Sequence, residues 1–238
     1  MKPPVLILAG GFGSRLKSVT FDTPKPLVKC QKRPFLFYLL EKFIAEGFDE
    51  FIFLLHYKPE KFKIFFKDYI KNTKHESIRI DYLIEEEPLG TGGSIINAID
   101  KMSIDKPFIV SNSDTWIQSE ISSIASKEPN NIGLVKQENG DRFGNVIAKN
   151  EMVVSFNEKT KLEQSRLINS GIYYFLPETF KEFKLSKISL EKEILPYLAK
   201  RKQLKSTLLE GNIIDIGIPE DYYKFCDSLI DGNIHTKL

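Results

Sequence analysis

The chain has only two cysteines, Cys30 and Cys226, and they stand far apart in the sequence among apolar residues. That excludes a disulfide framework and a cysteine-rich metal site, and predicts two reduced, buried thiols. Its three histidines, His56, His75 and His235, are dispersed and show no metal-ligand spacing. Its one tryptophan, Trp116, reads as a half-buried core aromatic. No apolar run approaches the ~18 residues of a membrane span. The first such run, Val5 to Ala9, is broken by glycine, too short for a signal peptide. A cytoplasmic location without membrane attachment is the expectation. Lysine plus arginine (34) nearly balance aspartate plus glutamate (32), so no basic face calls for nucleic acid. Internal repeats and low-complexity segments are missing too, so a fused hexapeptide β-helix is not expected.

What remains is a globular composition, 42% hydrophobic and 28% charged over 238 residues, enough for one large domain. The first half alternates strand and helix patterns. Val5–Ala9, Glu50–Leu55, Arg79–Ile84 and Pro107–Ser111 read as strands. Phe35–Gly47, Pro59–Tyr69 and Thr91–Met102 read as helices. This alternation predicts an α/β fold with a doubly wound, mostly parallel, Rossmann-like sheet. Ligands of such sheets bind beyond the carboxyl ends of the strands. The second half holds short strands at 131–136, 146–149, 153–158, 168–175, 204–210 and 212–216. Helices are expected at 178–183, 190–200 and 221–229, and the strands should form a small mixed extension of the same sheet.

The first strand runs into Leu8-Ala9-Gly10-Gly11-Phe12-Gly13-Ser14-Arg15, and Pro24-Lys25-Pro26 follows. Glycines let backbone N–H groups approach phosphate oxygens closely. Arg15 and Lys25 add full positive charges suited to a triphosphate. No lysine follows the glycines at Walker spacing, and position 16, where a dinucleotide fingerprint needs its third glycine, is Leu16. Asp114 ends the fourth strand at the rim where a metal would be wanted, although turn aspartates are common there. Asp215 precedes a helix opened by Pro219 and is open to the same plain reading.

Together, G-G-x-G-x-R-L and P-K-P resemble the signature of the sugar-1-phosphate nucleotidyltransferases, and the likeness continues along almost the whole chain. The resemblance implies the nucleotidyltransferase or glycosyltransferase-A type of fold. It implies a single domain, with residues 1–116 serving the nucleotide and 117–238 the sugar phosphate. Arg15 and Lys25 would be catalytic. Leu8, Gly10, Gly11, Gly13, Ser14, Arg15, Lys25, Glu85, Gly90, Thr91 and Gly92 would bind a nucleoside triphosphate, with Glu85 against the base. A carboxylate there suits guanine, whose N1–H and N2–H₂ are adjacent donors, so GTP is the expected donor. Asn112, Gly144 in Arg142-Phe143-Gly144, Glu158, Lys159 and Asn169 would hold the sugar 1-phosphate. Asp114 and Asp215 would bind Mg²⁺, which is content with few carboxylates.

Glu87-Pro88-Leu89-Gly90-Thr91-Gly92-Gly93 and Ser189-Leu190-Glu191 look most like the branch that makes GDP-heptose from D-glycero-D-manno-heptose 1-phosphate, for capsule, lipopolysaccharide or S-layer glycans. Mannose or N-acetylmuramate 1-phosphate, and UTP or dTTP, stay open as alternatives, as does a non-catalytic nucleotide-sensing subunit. Members of the family commonly dimerise, and the residues here do not decide whether this chain does.

Overall fold

The computed structural model describes residues 2–75, 77–137, 145–157 and 167–231. Strand β1 (Val5–Leu8) leads through the glycine turn into the short helix α1 (Lys17–Thr20). A hairpin of β2 (Lys29–Cys30) and β3 (Arg33–Pro34) precedes α2 (Phe35–Ala45). Then follow β4 (Glu50–Leu55), α3 (Pro59–Asn72), β5 (Arg79–Ile84), α4 (Gly90–Lys101) and β6 (Phe108–Asn112). The second half carries β7 (Thr115–Ile117), α5 (Ser122–Ala125), β8 (Asn131–Lys136), β9 (Asn145–Lys149), β10 (Met152–Asn157) and β11 (Leu167–Phe175). It ends with α6 (Leu195–Lys200), β12 (Lys205–Leu209), β13 (Ile213–Asp215) and α7 (Pro219–Ile230).

Nine strands form one sheet in the order β5-β4-β1-β6-β11-β8-β12-β10-β9. The first four pair in parallel, and β11 turns the sheet antiparallel against β6. The parallel strands read as near-continuous apolar runs because both faces are covered. Val5, Ile7, Phe51 and Phe53 face a core shared with α2, α3 and α7. Leu6, Ile52 and Leu54 face the opposite core with α4 and α6. Alternation of side chains along each strand thus feeds two cores at once. Trp116 is more deeply placed than expected, only 4% exposed in the first core.

Three expectations need correction. The segment 212–216 does not join the main sheet. Its strand β13 pairs antiparallel with β7, a strand too short to show a period, in a separate two-stranded ribbon. The expected helix at 178–183 is a single tight turn, Pro177–Phe180. That at 190–200 opens with a wide turn, Leu190–Ile194, capped by Ser189 accepting from the Lys192 N–H, before α6 begins. No helix among the described residues is long and apolar enough to cross a membrane.

Candidate active site

The parallel strands deliver their carboxyl ends to one side of the sheet, and a cavity of about 330 Å³ opens there. Leu8, Gly10, Gly11, Glu85, Gly90, Thr91, Asn112 and Asp114 line it, all anticipated from the sequence. Gly13 adopts φ +63°, a conformation open to glycine, and a Cβ there would come within 3.3 Å of the Lys25 Cβ. The glycine turn therefore rests on the Lys25 segment. That segment is itself pre-formed. Pro24 and Pro26 flank a turn closed by the Leu27 N–H donating to the Pro24 carbonyl at 2.8 Å.

Lys25 Nζ donates to Asp114 Oδ2 at 2.5 Å. The ribbon supplies the second carboxylate. Asp215 lies opposite Thr115, and the Ile216 N–H donates to the Asp114 carbonyl at 2.9 Å. Asp215 is steadied by the Gly217 N–H, 2.8 Å from its Oδ1. Burial works against the charged form of Lys25, yet Asp114 and Asp215 outweigh it and raise its pKa. Burial likewise opposes the Asp114 carboxylate, but Lys25, Thr115 and Arg15 hold it below the ordinary range. Asp215 behaves differently: burial first, then the Asp114 charge, push it up to about 6. Two carboxylates here crowd one ammonium, with the Arg15 charge nearby, and the Asp114 charge is still felt at Asp215. Paired hard oxygen donors of this kind fit a hard divalent cation. No cluster of three or more metal-ligating side chains occurs among the described residues, so substrate oxygens and water would complete such a shell.

Glu85 is buried, and its Oε2 accepts from the Leu89 N–H at 3.1 Å. Asn112 lies against Gly171, whose φ of +75° and missing Cβ make room for it; a Cβ would stand 2.5 Å from the Asn112 Nδ2. Asn169 turns its amide inward: Nδ2 donates to the Tyr173 hydroxyl at 2.8 Å, and Oδ1 accepts from the Gly171 N–H at 3.0 Å. Gly13, Ser14, Arg15, Lys25 and Asp215 are not among the residues that line the cavity, and Arg15 and Ser14 are exposed. Gly92 lies off the cavity, its N–H donating to the Ile188 carbonyl at 3.0 Å. Gly144, Glu158, Lys159 and His235 lie outside the described residues.

The cavity also brings in residues to which the sequence reading gave no site role: Phe12, His56, Ser94 and Glu191. His56 follows the carboxyl end of β4, where position in a parallel sheet could have flagged it. Its Nδ1 is 3.0 Å from the Glu85 carbonyl, and its ring meets Phe12 edge-on. Glu191 reaches from the wide turn before α6 and accepts from the Thr91 hydroxyl at 2.6 Å, a contact across 100 residues that no local pattern encodes.

With this geometry in place, the chain belongs to the nucleotidyl transferase family, whose pattern it matches over residues 4–231. It is 36% identical over 222 residues to D-glycero-alpha-D-manno-heptose 1-phosphate guanylyltransferase of Campylobacter jejuni, covering 92% of this chain and 97% of that protein. It is 35% identical over 226 residues to mannose-1-phosphate guanylyltransferase 1 of Arabidopsis thaliana, covering 91% of this chain and 62% of that protein. The crystal structure of HddC from Yersinia pseudotuberculosis complexed with GMP-PN is 35% identical, with a TM-score of 0.80 over 96% of this chain and 100% of that one.

Proposed function

We propose that this protein transfers the guanylyl group of GTP to D-glycero-α-D-manno-heptose 1-phosphate, releasing pyrophosphate and forming GDP-heptose. The observation that carries the reading is the Lys25–Asp114–Asp215 cluster beside a glycine turn, next to a cavity lined by Asp114 and the buried Glu85. The relative named as a heptose 1-phosphate guanylyltransferase, matched over 92% of this chain, supports the sugar. Mannose 1-phosphate is the second reading, favoured by the 35% identity to the mannose enzyme.

The sugar phosphate oxygen attacks the α-phosphorus in line with the departing pyrophosphate. A phosphate monoester dianion is largely deprotonated at neutral pH, so the site needs no general base. Its task is to bring two polyanions together and to neutralise charge as it shifts to the leaving group. Arg15 and the Gly11–Ser14 turn hold the β- and γ-phosphates. Lys25 turns from Asp114 to the α-phosphate, and Glu85 accepts from the guanine N1–H and N2–H₂. Lys159 pairs with the sugar phosphate, while Glu158, Asn112, Asn169 and Gly144 border the sugar. Asp114 and Asp215 would hold Mg²⁺, which supplies charge neutralisation and alignment of phosphate oxygens. Residues 1–116 serve the nucleotide and 117–238 the sugar phosphate, and the reaction belongs in the cytoplasm, feeding surface glycan synthesis.

Pyrophosphate release across a panel of sugar 1-phosphates and nucleoside triphosphates tests this reading. GTP with the heptose phosphate is expected to give the highest kcat/KM. A preference for UTP or dTTP would overturn the guanylyl assignment, and a preference for mannose 1-phosphate would replace the sugar.

A further inference from the structure

Cys30 and Cys226, which the proposed reaction does not use, meet in space. Strand β2 lies along helix α7, and two hydrogen bonds fix their alignment. The Tyr222 hydroxyl donates to the Lys29 carbonyl at 2.5 Å, and about one helical turn later Gln31 Nε2 donates to the Cys226 carbonyl at 3.5 Å. Between these ties the two thiols lie close enough that each shifts the other's titration. Phe225 packs on Phe35 with ring centroids 4.7 Å apart, and the Tyr38 hydroxyl donates to the Cys30 carbonyl at 3.0 Å. Both sulfurs are free thiols, held where backbone and side chain fix their approach.

The two thiols are unequal. Cys30 is completely buried, whereas Cys226 keeps 8% of its surface exposed. The neighbouring Cys30 thiol, opposed by burial, brings Cys226 down to about 7. The nearness of Cys226, with burial, pushes Cys30 up. Near neutral pH one sulfur is thus partly thiolate, with a protonated partner beside it.

We propose that Cys30 and Cys226 form a dithiol redox site that closes to an intrachain disulfide on reaction with a low-molecular-weight disulfide such as oxidised glutathione. Cys226 is the attacking thiol and Cys30 the resolving one. The Cys226 thiolate attacks one sulfur of the reagent, forms a mixed disulfide and releases one thiolate. Cys30 gives up its proton and attacks the Cys226 sulfur, expelling the second thiolate. Two protein thiols are oxidised to one disulfide, and the reagent disulfide is reduced to two thiols that carry the two protons. The new bond ties the strand just after the Lys25 turn to the helix just after Asp215. It would act as a reversible staple, of the transient kind found in reducing compartments.

The test treats the full-length protein with oxidised glutathione, then measures free thiols after denaturation, intact mass, a non-reducing peptide map and Tm. The expected result is loss of both thiols, a mass lower by two hydrogens and a Cys30–Cys226 peptide link reversed by dithiothreitol. Tm should rise by at least ~5 °C, because the bond closes a loop of most of the chain. Cys30→Ala should stop at a glutathione adduct on Cys226, and Cys226→Ala should stay unmodified. The proposal is overturned if the wild-type protein keeps both thiols or stops at the mixed disulfide. It is equally overturned if Cys226→Ala is modified at Cys30, or if Tm fails to rise. None of these readouts depends on the assigned reaction.

Discussion

The ammonium of Lys25 lies 2.5 Å from the carboxylate of Asp114, joining two positions 89 residues apart in the chain. The pair sets the charge state of the site before substrate arrives: each partner holds the other ionised against burial. Replacing Lys25 by Met would leave Asp114 without its counter-ion. The expected cost is about 1–3 kcal/mol of stability, read as a lower Tm. Turnover should fall by at least ~10²-fold, as expected for loss of one transition-state donor.

Arg15 separates chemistry from stability. It is exposed, in the tight turn Ser14–Leu16, and its charge reaches Lys25, Asp114 and Asp215. Arg15→Ala should leave Tm within about 1–2 °C of wild type, since exposed substitutions change stability little. Turnover in a pyrophosphate-release assay should drop by at least ~10²-fold.

Asp215 gives a pH-dependent prediction. Burial and the Asp114 charge raise its pKa to about 6, so ionising it costs folded stability. That cost is absent below the ordinary aspartate range and complete once the pH exceeds about 6. In chelator at pH 8, Asp215→Asn should therefore melt at a higher temperature than wild type, and at pH 4 the two should nearly coincide. Added Mg²⁺ should raise the Tm of wild type and not of the variant. The variant should also lose activity, a trade of function for stability.

Glu85 is the test of base choice. One carboxylate oxygen accepts from the Leu89 N–H at 3.1 Å, which fixes the side chain on the cavity wall. Glu85→Gln replaces an acceptor with a donor against two guanine donors. The expected loss in kcat/KM for GTP is roughly 10–100-fold, the worth of a hydrogen bond to a charged group. The rates with UTP and dTTP should change by much less, so competition among the three nucleotides reads the effect directly.

The parts of this site that follow local rules were legible in the sequence. β1, its glycine turn, the alternation into α4 and β6, and Asp114 at a strand end all declare themselves by period or by punctuation. What escaped depends on long-range pairing. β7 is a three-residue strand, too short for a pattern, and its pairing with the strand that ends at Asp215 is what brings Asp215 beside Asp114. Glu191 enters the cavity because an irregular turn before α6 docks on Thr91. Gly92 was expected to bind the nucleotide, yet the Ile188 carbonyl takes its N–H. Cys30 and Cys226, distant in the chain, meet because α7 packs back on β2.

The account rests on attack at the α-phosphorus of GTP, and isotope tracing reads that step without reference to any variant. Wild-type protein with Mg²⁺ and heptose 1-phosphate would be supplied with GTP labelled at the α- or the γ-phosphorus. The α label should appear in GDP-heptose and the γ label in pyrophosphate. Recovery of the γ label in a sugar bisphosphate, with GDP released, would mean phosphoryl rather than guanylyl transfer and would contradict it.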